Sequence, residues 1–127
     1  SRLSGNAALE ARAAEIPKVF ARDMNRAPSG FIWLLTAMQQ AQAGGADIVL
    51  AGDSNKPDMQ AMRDALNKRY IPENNVLLAN QTLTHIAPFT SGYSPLDGQA
   101  TAYVCRNGQC SPPTTEIKQM IDLLNEK

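Results

Sequence analysis

Histidine and tryptophan each occur once in this 127-residue chain, and cysteine only twice. A closed zinc site takes four ligands, so two cysteines and one histidine do not furnish one, and no metal is expected. Two cysteines are also too few for the disulfide framework of a small secreted domain, and their number fixes no compartment. A cytoplasmic setting is the working expectation. Charge of either sign is not in excess: twelve basic and twelve acidic residues give a formal net charge of zero. That balance argues against nucleic-acid binding driven by phosphate neutralisation. No apolar run reaches the roughly 18–20 residues of a membrane-spanning helix, and the longest, FIWLLTAM, reads as part of a packed helix. The opening SRLSGNAALEARAAEI has no initiator Met, no basic leader and no apolar leader core, so a signal peptide is not expected. It enters helical sequence at once, as a segment cut from a longer protein would. What is present is ordinary globular composition, 43% hydrophobic and 19% charged, at a length suited to one domain.

The chain begins with helical spacing. Leu9, Ala13, Ile16, Phe20 and Met24 recur at intervals of three and four within residues 6–25, one stripe of an amphipathic helix. Pro17 lies inside it and is expected to kink or break it, because proline lacks the amide donor and crowds the carbonyl four residues back. Ser29 is a candidate N-cap for a second helix reaching about Ala43, with Phe31, Leu34, Leu35 and Met38 as its core face and Gly44–Gly45 as its stop. The pattern then changes. ADIVLAG, residues 46–52, is a short β-branched apolar run, the signature of a strand buried on both faces. Ser54 or Asn55 is placed to cap the next helix, Pro57 suits its first turn and Asp58 favours the positive end of its dipole. Met59, Met62, Leu66 and Tyr70 line that helix, Pro72 closes it, and NVLLAN at 75–80 is a second strand. Strand, helix and strand in this order form a βαβ unit with parallel strands. Residues 81–98 read as loop, broken by Pro88, Gly92, Pro95 and Gly98. ATAYVC at 100–105 is a third strand ending in a hairpin, and Ile117, Met120, Ile121 and Leu124 stripe a final helix over about 115–125. The expected fold is therefore α/β: a small, mostly parallel sheet made of a βαβ unit, a C-terminal hairpin and a helix, with two N-terminal helices packed against it.

The sharpest local signal is CRNGQC, Cys105 to Cys110. An Asn-Gly pair between strand-patterned residues points to a two-residue type I′ hairpin, because both loop positions need positive φ. With Asn107 and Gly108 as the loop, Arg106 pairs with Gln109 and Cys105 faces Cys110. That is a non-hydrogen-bonded site, with Cα atoms about 4.5 Å apart. Such spacing is at the near edge of what a disulfide tolerates, so a bond there is expected to be strained and labile. Three readings remain open: two inert half-buried thiols, a reversible disulfide, or part of a metal site. Asp53 lies just past the end of the first strand, where open α/β sheets bind ligands, with Ser54 and Asn55 beside it. The same three residue types are also what a helix start needs for capping alone. GADIVLAGD lacks the glycine spacing of a dinucleotide site and the Gly-Lys-Ser/Thr of a phosphate loop, so no cofactor is expected. His85, in QTLTHIAPF, has no nucleophile or carboxylate placed for catalysis by any motif and reads as a loop residue with a local hydrogen bond. Trp33 reads as core or interface. No catalytic residue is assigned.

IVLAGD, then KRYIPENNVLLAN, then GQATAYVCRNGQCSPPTTEIKQMIDLL together resemble the C-terminal end of the spermatogenesis-associated, thioredoxin-domain-containing protein family. The most specific element is TAYVC followed by four residues and CSPPT, from Thr101 to Thr114; Ala51–Asp53 comes next. The likeness is good over residues 46–127 and less distinctive over 1–45. It implies a long parent protein that starts with a thioredoxin-like domain and continues into an α/α toroid similar to N-acylglucosamine 2-epimerases and six-hairpin glycosidases. Residues 1–45 would then end the toroid, and 46–127 would be a C-terminal α/β domain. The implied role is non-catalytic, as an accessory domain of a protein linked to carbohydrate metabolism, inactive alone and partnered by the parent's upstream domains. Two alternatives stand beside it: thiol–disulfide exchange at Cys105/Cys110, and small-ligand binding near Asp53, Ser54 and Asn55.

Overall fold

The computed structural model describes residues 3–106 and 108–126, in two compact units, Ser1–Ala43 and Gly44–Lys127. In the first unit, helix α1 spans Ala7–Arg26, its N-terminus capped by Asn6, whose Oδ1 accepts from the amides of Ala8 and Leu9. The expected break at Pro17 does not occur; the helix runs through it. Alanine, glutamate, arginine and lysine dominate the surrounding turns, and such strong helix formers resume propagation on both sides of one missing amide. A 3₁₀ turn over Pro28–Phe31 leads into helix α2, Ile32–Ala43. Ser29 therefore lies inside that turn and caps nothing. Pro28, with its φ preset for helix entry, starts the turn one residue earlier. Gly44, at φ 64°, ends α2 as the sequence indicates.

The second unit is built on a four-stranded sheet in the order β2-β1-β3-β4. Strand β1 is Asp47–Ala51, β2 Asn75–Leu78, β3 Thr101–Arg106 and β4 Gln109–Cys110. Helix α3, Pro57–Asn67, joins β1 to β2, which pair in parallel as the βαβ reading requires. The sheet is nevertheless mixed, not mostly parallel: β3 lies antiparallel to β1, and β4 antiparallel to β3. The reason is the route between β2 and β3. Thr101 opens β3 opposite Ala51, at the edge where β1 ends, so the chain leaving β2 re-enters the sheet from the same edge instead of returning to the far one. The connecting segment is also more structured than expected. Helix α4 occupies Gln81–Ile86, capped by Asn80, whose Oδ1 accepts from the Leu83 amide, and a 3₁₀ turn follows over Pro88–Gly92.

Side-chain alternation divides the sheet into two faces. Ile48 and Leu50 of β1 with Ala102 and Val104 of β3 face α3 and the last helix, α5, Ile117–Asn125. They form one core with Met59, Met62, Leu66, Met120 and Ile121. Each fully buried aliphatic or Met side chain there stabilises the fold by about 1.5–3 kcal/mol. Tyr70 is not part of α3, which stops at Asn67, and is 93% exposed. Arg106 at the end of β3 donates to the Leu124 carbonyl at 2.9 Å, placing a cation at the C-terminus of α5. Beyond β4 the chain pairs once more with β3, at Ala102 and Thr114, one step out of register across Pro112–Pro113. Prolines without amide donors suit this edge.

Candidate functional site

The other face of the sheet carries the cysteines. Asn75, Asp47, Cys105 and Cys110 are register partners from β2 through β1 and β3 to β4, so they form one row across all four strands. Partners directly opposite in a sheet put their side chains on the same face. Asn75 Nδ2 donates to Asp47 Oδ1 at 2.7 Å. At the other end of the row Cys105 and Cys110 are joined in a disulfide, their Cα atoms 3.9 Å apart. The pairing of Arg106 with Gln109 and Cys105 with Cys110 is the register expected from the Asn-Gly signal. The Ser111 amide donates to the Val104 carbonyl, so the cysteines occupy the non-hydrogen-bonded pair between ladder bonds. Gly108 adopts φ 79°, the left-handed conformation the loop needs; Asn107, the other loop residue, lies outside the described residues. The two sulfurs differ in access: Cys105 is 6% exposed, whereas Cys110 is on the exposed edge strand.

Tyr93 closes over this pair. Its hydroxyl lies 3.1 Å from Cys110 Sγ and 3.4 Å from Cys105 Sγ. A disulfide sulfur has no proton, so the phenol is the donor in both contacts. The ring is held by two aromatic neighbours, Tyr103 with centroids 4.5 Å apart and Phe89 edge-on at 6.5 Å. Tyr103 Oη in turn donates to the Ser94 carbonyl, and the Leu96 amide donates to Thr101 Oγ1, fixing the 93–96 segment over β3. Burial pushes the Tyr93 hydroxyl above its ordinary value of 10.0, and Tyr103 and Asp47 act in the same direction. The group is therefore a proton-bearing donor throughout the neutral range. Nothing in the sequence marked Tyr93: it sits in SGYSP, twelve residues before Cys105. Asp47 becomes visible as a neighbour of the cysteines only once β3 is known to lie antiparallel to β1.

Asp53, Ser54 and Asn55 do not form a comparable constellation. Asp53 Oδ1 accepts from the Asn55 amide at 2.9 Å and the Asp53 carbonyl accepts from the Lys56 amide, so the aspartate shapes a local turn. The N-cap of α3 is Lys56, with Pro57 in the first turn, and neither Ser54 nor Asn55 caps the helix. The turn takes up these residues and moves the helix start one or two positions on, to Lys56. The carboxylate that organises this edge is Asp58, whose Oδ2 accepts from the Ala100 amide at 2.8 Å and Oδ1 from the Met59 amide. Lys56 Nζ donates to the Gly98 carbonyl beside it. The Ala100 amide holds the Asp58 carboxyl below its ordinary value of 3.8. A depressed folded-state value stabilises the fold fully above pH 3.8, and that contribution is lost as pH falls through the lower folded value. Asp58→Asn should therefore flatten the acid limb of melting temperature against pH, read between pH 5 and 2; an unchanged limb would exclude Asp58 from the acid response.

His85 is exposed in the last turn of α4, not in a loop, where it suits the negative end of the helix dipole. Trp33 is 89% exposed on α2. An open groove between α3 and α5 is lined by Ala61, Ala65, Ile117 and Ile121 with Asp64, Lys68, Arg69, Lys118 and Asp122, and its lining includes no Ser, Thr, Cys, His or Tyr. Among the described residues no group of three or more His, Cys, Asp or Glu is placed to hold a metal ion, and no helix is long and apolar enough to cross a membrane.

No protein-family model matches the chain, and no solved structure does so either. Curated proteins do. The chain is 33% identical over 110 residues to human spermatogenesis-associated protein 20, a stretch covering 84% of this chain and 14% of that protein. The rat and mouse proteins of the same name are 28% and 26% identical over 111 residues, with the same coverage. The chain thus spans about a seventh of the length of these relatives, 14%, at their C-terminal end.

Proposed function

Because this chain is homologous to the C-terminal part of spermatogenesis-associated protein 20, we propose that it is an accessory domain docked, through its N-terminal helices, on the preceding body of the same polypeptide. The observation that carries this is the exposure of apolar side chains on α1 and α2. Leu9, Ile16, Val19, Phe20, Ile32, Trp33 and Leu35 are all exposed, with Val19 at 73%. Soluble surfaces do not gather apolar side chains at this density without a partner. The relatives supply a natural one, since most of their length lies before the matched stretch. On the family resemblance, α1 and α2 complete an α/α toroid that follows a thioredoxin-like domain, in a protein of carbohydrate metabolism, and the α/β unit rides at its end without catalytic residues of its own. Co-expression of residues 1–127 with the preceding part of the parent polypeptide tests this. A stable complex is expected. Phe20→Asp with Trp33→Asp should weaken it by about 30-fold or more, the range of a central apolar anchor, while leaving the melting of the Gly44–Lys127 unit unchanged. Failure of the two parts to associate, or wild-type affinity in the double variant, would sink the proposal.

A second reading has its own observation. The Cys105–Cys110 disulfide, with Tyr93 donating to its sulfurs, supports a thiol-exchange role, receiving or passing a disulfide within the parent protein. Cys110→Ser should then abolish any mixed disulfide between this domain and the rest of the full-length protein, seen as a lost band shift on non-reducing gels. Small-ligand binding at Asp53, Ser54 and Asn55 is the third proposal, and a metabolite-induced NMR shift clustered at residues 52–57 would be its signature.

A further inference from the structure

We propose that the Cys105–Cys110 bond is opened by dithiols in one direction only, through attack on Cys110, with Cys105 leaving under the Tyr93 hydroxyl. This deepens the thiol-exchange reading above and rests on it. Thiolate attack on a disulfide is an in-line displacement, so the nucleophile must approach along the extension of the sulfur–sulfur axis. The row across the sheet makes the two approaches unequal. Cys110 is exposed on β4, the edge strand, so the side of the pair away from Cys105 is open to solvent. On the other side lies β1, where Asp47 is the register partner of the buried Cys105 and adds a negative charge that an approaching thiolate would meet. Access and charge therefore both select Cys110 as the attacked atom. The Tyr93 phenol, 3.1 Å from Cys110 and 3.4 Å from Cys105, is within donating reach of the negative charge that develops on the leaving Cys105 sulfur. Tyr93 is thus a positioning and leaving-group residue, built from a loop that the aromatic stack with Tyr103 holds in place.

One thiolate of the dithiol attacks Cys110 Sγ, the Cys105–Cys110 bond breaks, and a mixed disulfide forms while Cys105 leaves as a thiolate. The second thiolate of the dithiol attacks its own sulfur in the mixed disulfide and expels Cys110 as a thiolate. Two electrons pass from dithiol to protein, and the two protons released by the dithiol are taken up, through solvent, by the two cysteines. The reductant closes to its disulfide.

The test uses the oxidised 127-residue chain with glutathione, a monothiol whose first attack gives a mixed disulfide, acid-quenched at early times before a second thiol or the freed cysteine resolves it, then alkylated and peptide-mapped. The expected result is glutathione on Cys110 and alkylation on Cys105, in at least tenfold excess over the reverse. The rate of reduction by dithiothreitol should fall about fivefold in Tyr93→Phe, the factor expected for loss of one hydrogen bond. Tyr70→Phe, at a 93% exposed tyrosine outside this cluster, should leave that rate unchanged, and a Tyr93→Phe protein melting within about 2 °C of the parent separates leaving-group assistance from general loosening. Adducts spread over both cysteines, or an unaltered rate in Tyr93→Phe, would overturn the directional proposal while leaving thiol exchange in place. A bond that resists both thiols until the protein is denatured would instead remove the underlying reading. If Tyr93→Phe does not fold, the adduct map on the unsubstituted chain still decides the direction.

Discussion

Gly45→Ala should destabilise the α/β unit by about 3 kcal/mol or more, the upper range for overpacking a filled site. Gly45 is buried, and a β-carbon there would collide with the main-chain carbonyl of Glu73. The obstacle is backbone, so no side-chain rotation relieves it. The contact also sits where the parallel pair begins: the Ala46 amide donates to Asn74 Oδ1 at 2.6 Å, and the Asn75 amide to the Ala46 carbonyl at 2.9 Å. Pushing the two segments apart therefore breaks the hydrogen bonds that set β1 against β2. For a unit of this size each kcal/mol lowers the melting temperature by about 4–8 °C, so a drop of about 12–24 °C is expected by calorimetry. Gly92→Ala, where a β-carbon meets nothing within 4 Å, is the control and should melt within about 2 °C of the parent. A Gly45→Ala protein melting like that control would show that the close approach is not required.

The second large effect is expected at Ile48→Ala, a loss of about 2–5 kcal/mol. Ile48 is 0% exposed on the central strand and pairs with Val76 on one side and Val104 on the other. Its side chain belongs to the core made with α3 and α5, where neighbours on rigid elements cannot collapse fully into a cavity. Val76→Ala on the edge strand removes a smaller, 47% exposed side chain and should cost at most about 1 kcal/mol. Urea titration of the two variants checks the difference. Similar midpoints would mean that the sheet's helix-covered face is not the dominant core.

Element types were legible wherever burial imposed a period. ADIVLAG and NVLLAN became β1 and β2, and the stripes at Met59, Met62, Leu66 and at Ile117, Met120, Ile121 became α3 and α5. Local chemistry was read less well where two signals competed. At Ser29, and again at Ser54 and Asn55, a neighbouring proline or turn set the helix start, and these polar residues do not cap it. Pro17 shows the reverse, a local breaker overridden by the helix formers around it.

The hairpin marks the boundary between what sequence and tertiary structure each decide. Six consecutive residues, Cys105 to Cys110, determine by themselves that the two cysteines face each other, because a two-residue loop leaves only one register. The direction of β3 against β1 is not written in any strand, since alternation is the same read either way. Only the folded connection over residues 79–100 decides it. That decision brings Asp47 beside Cys105 and lays Tyr93 over both sulfurs, joining residues 12 to 63 positions away from the cysteines in the chain. Local geometry made the disulfide; the antiparallel return of the chain gave it a charged side and an open side.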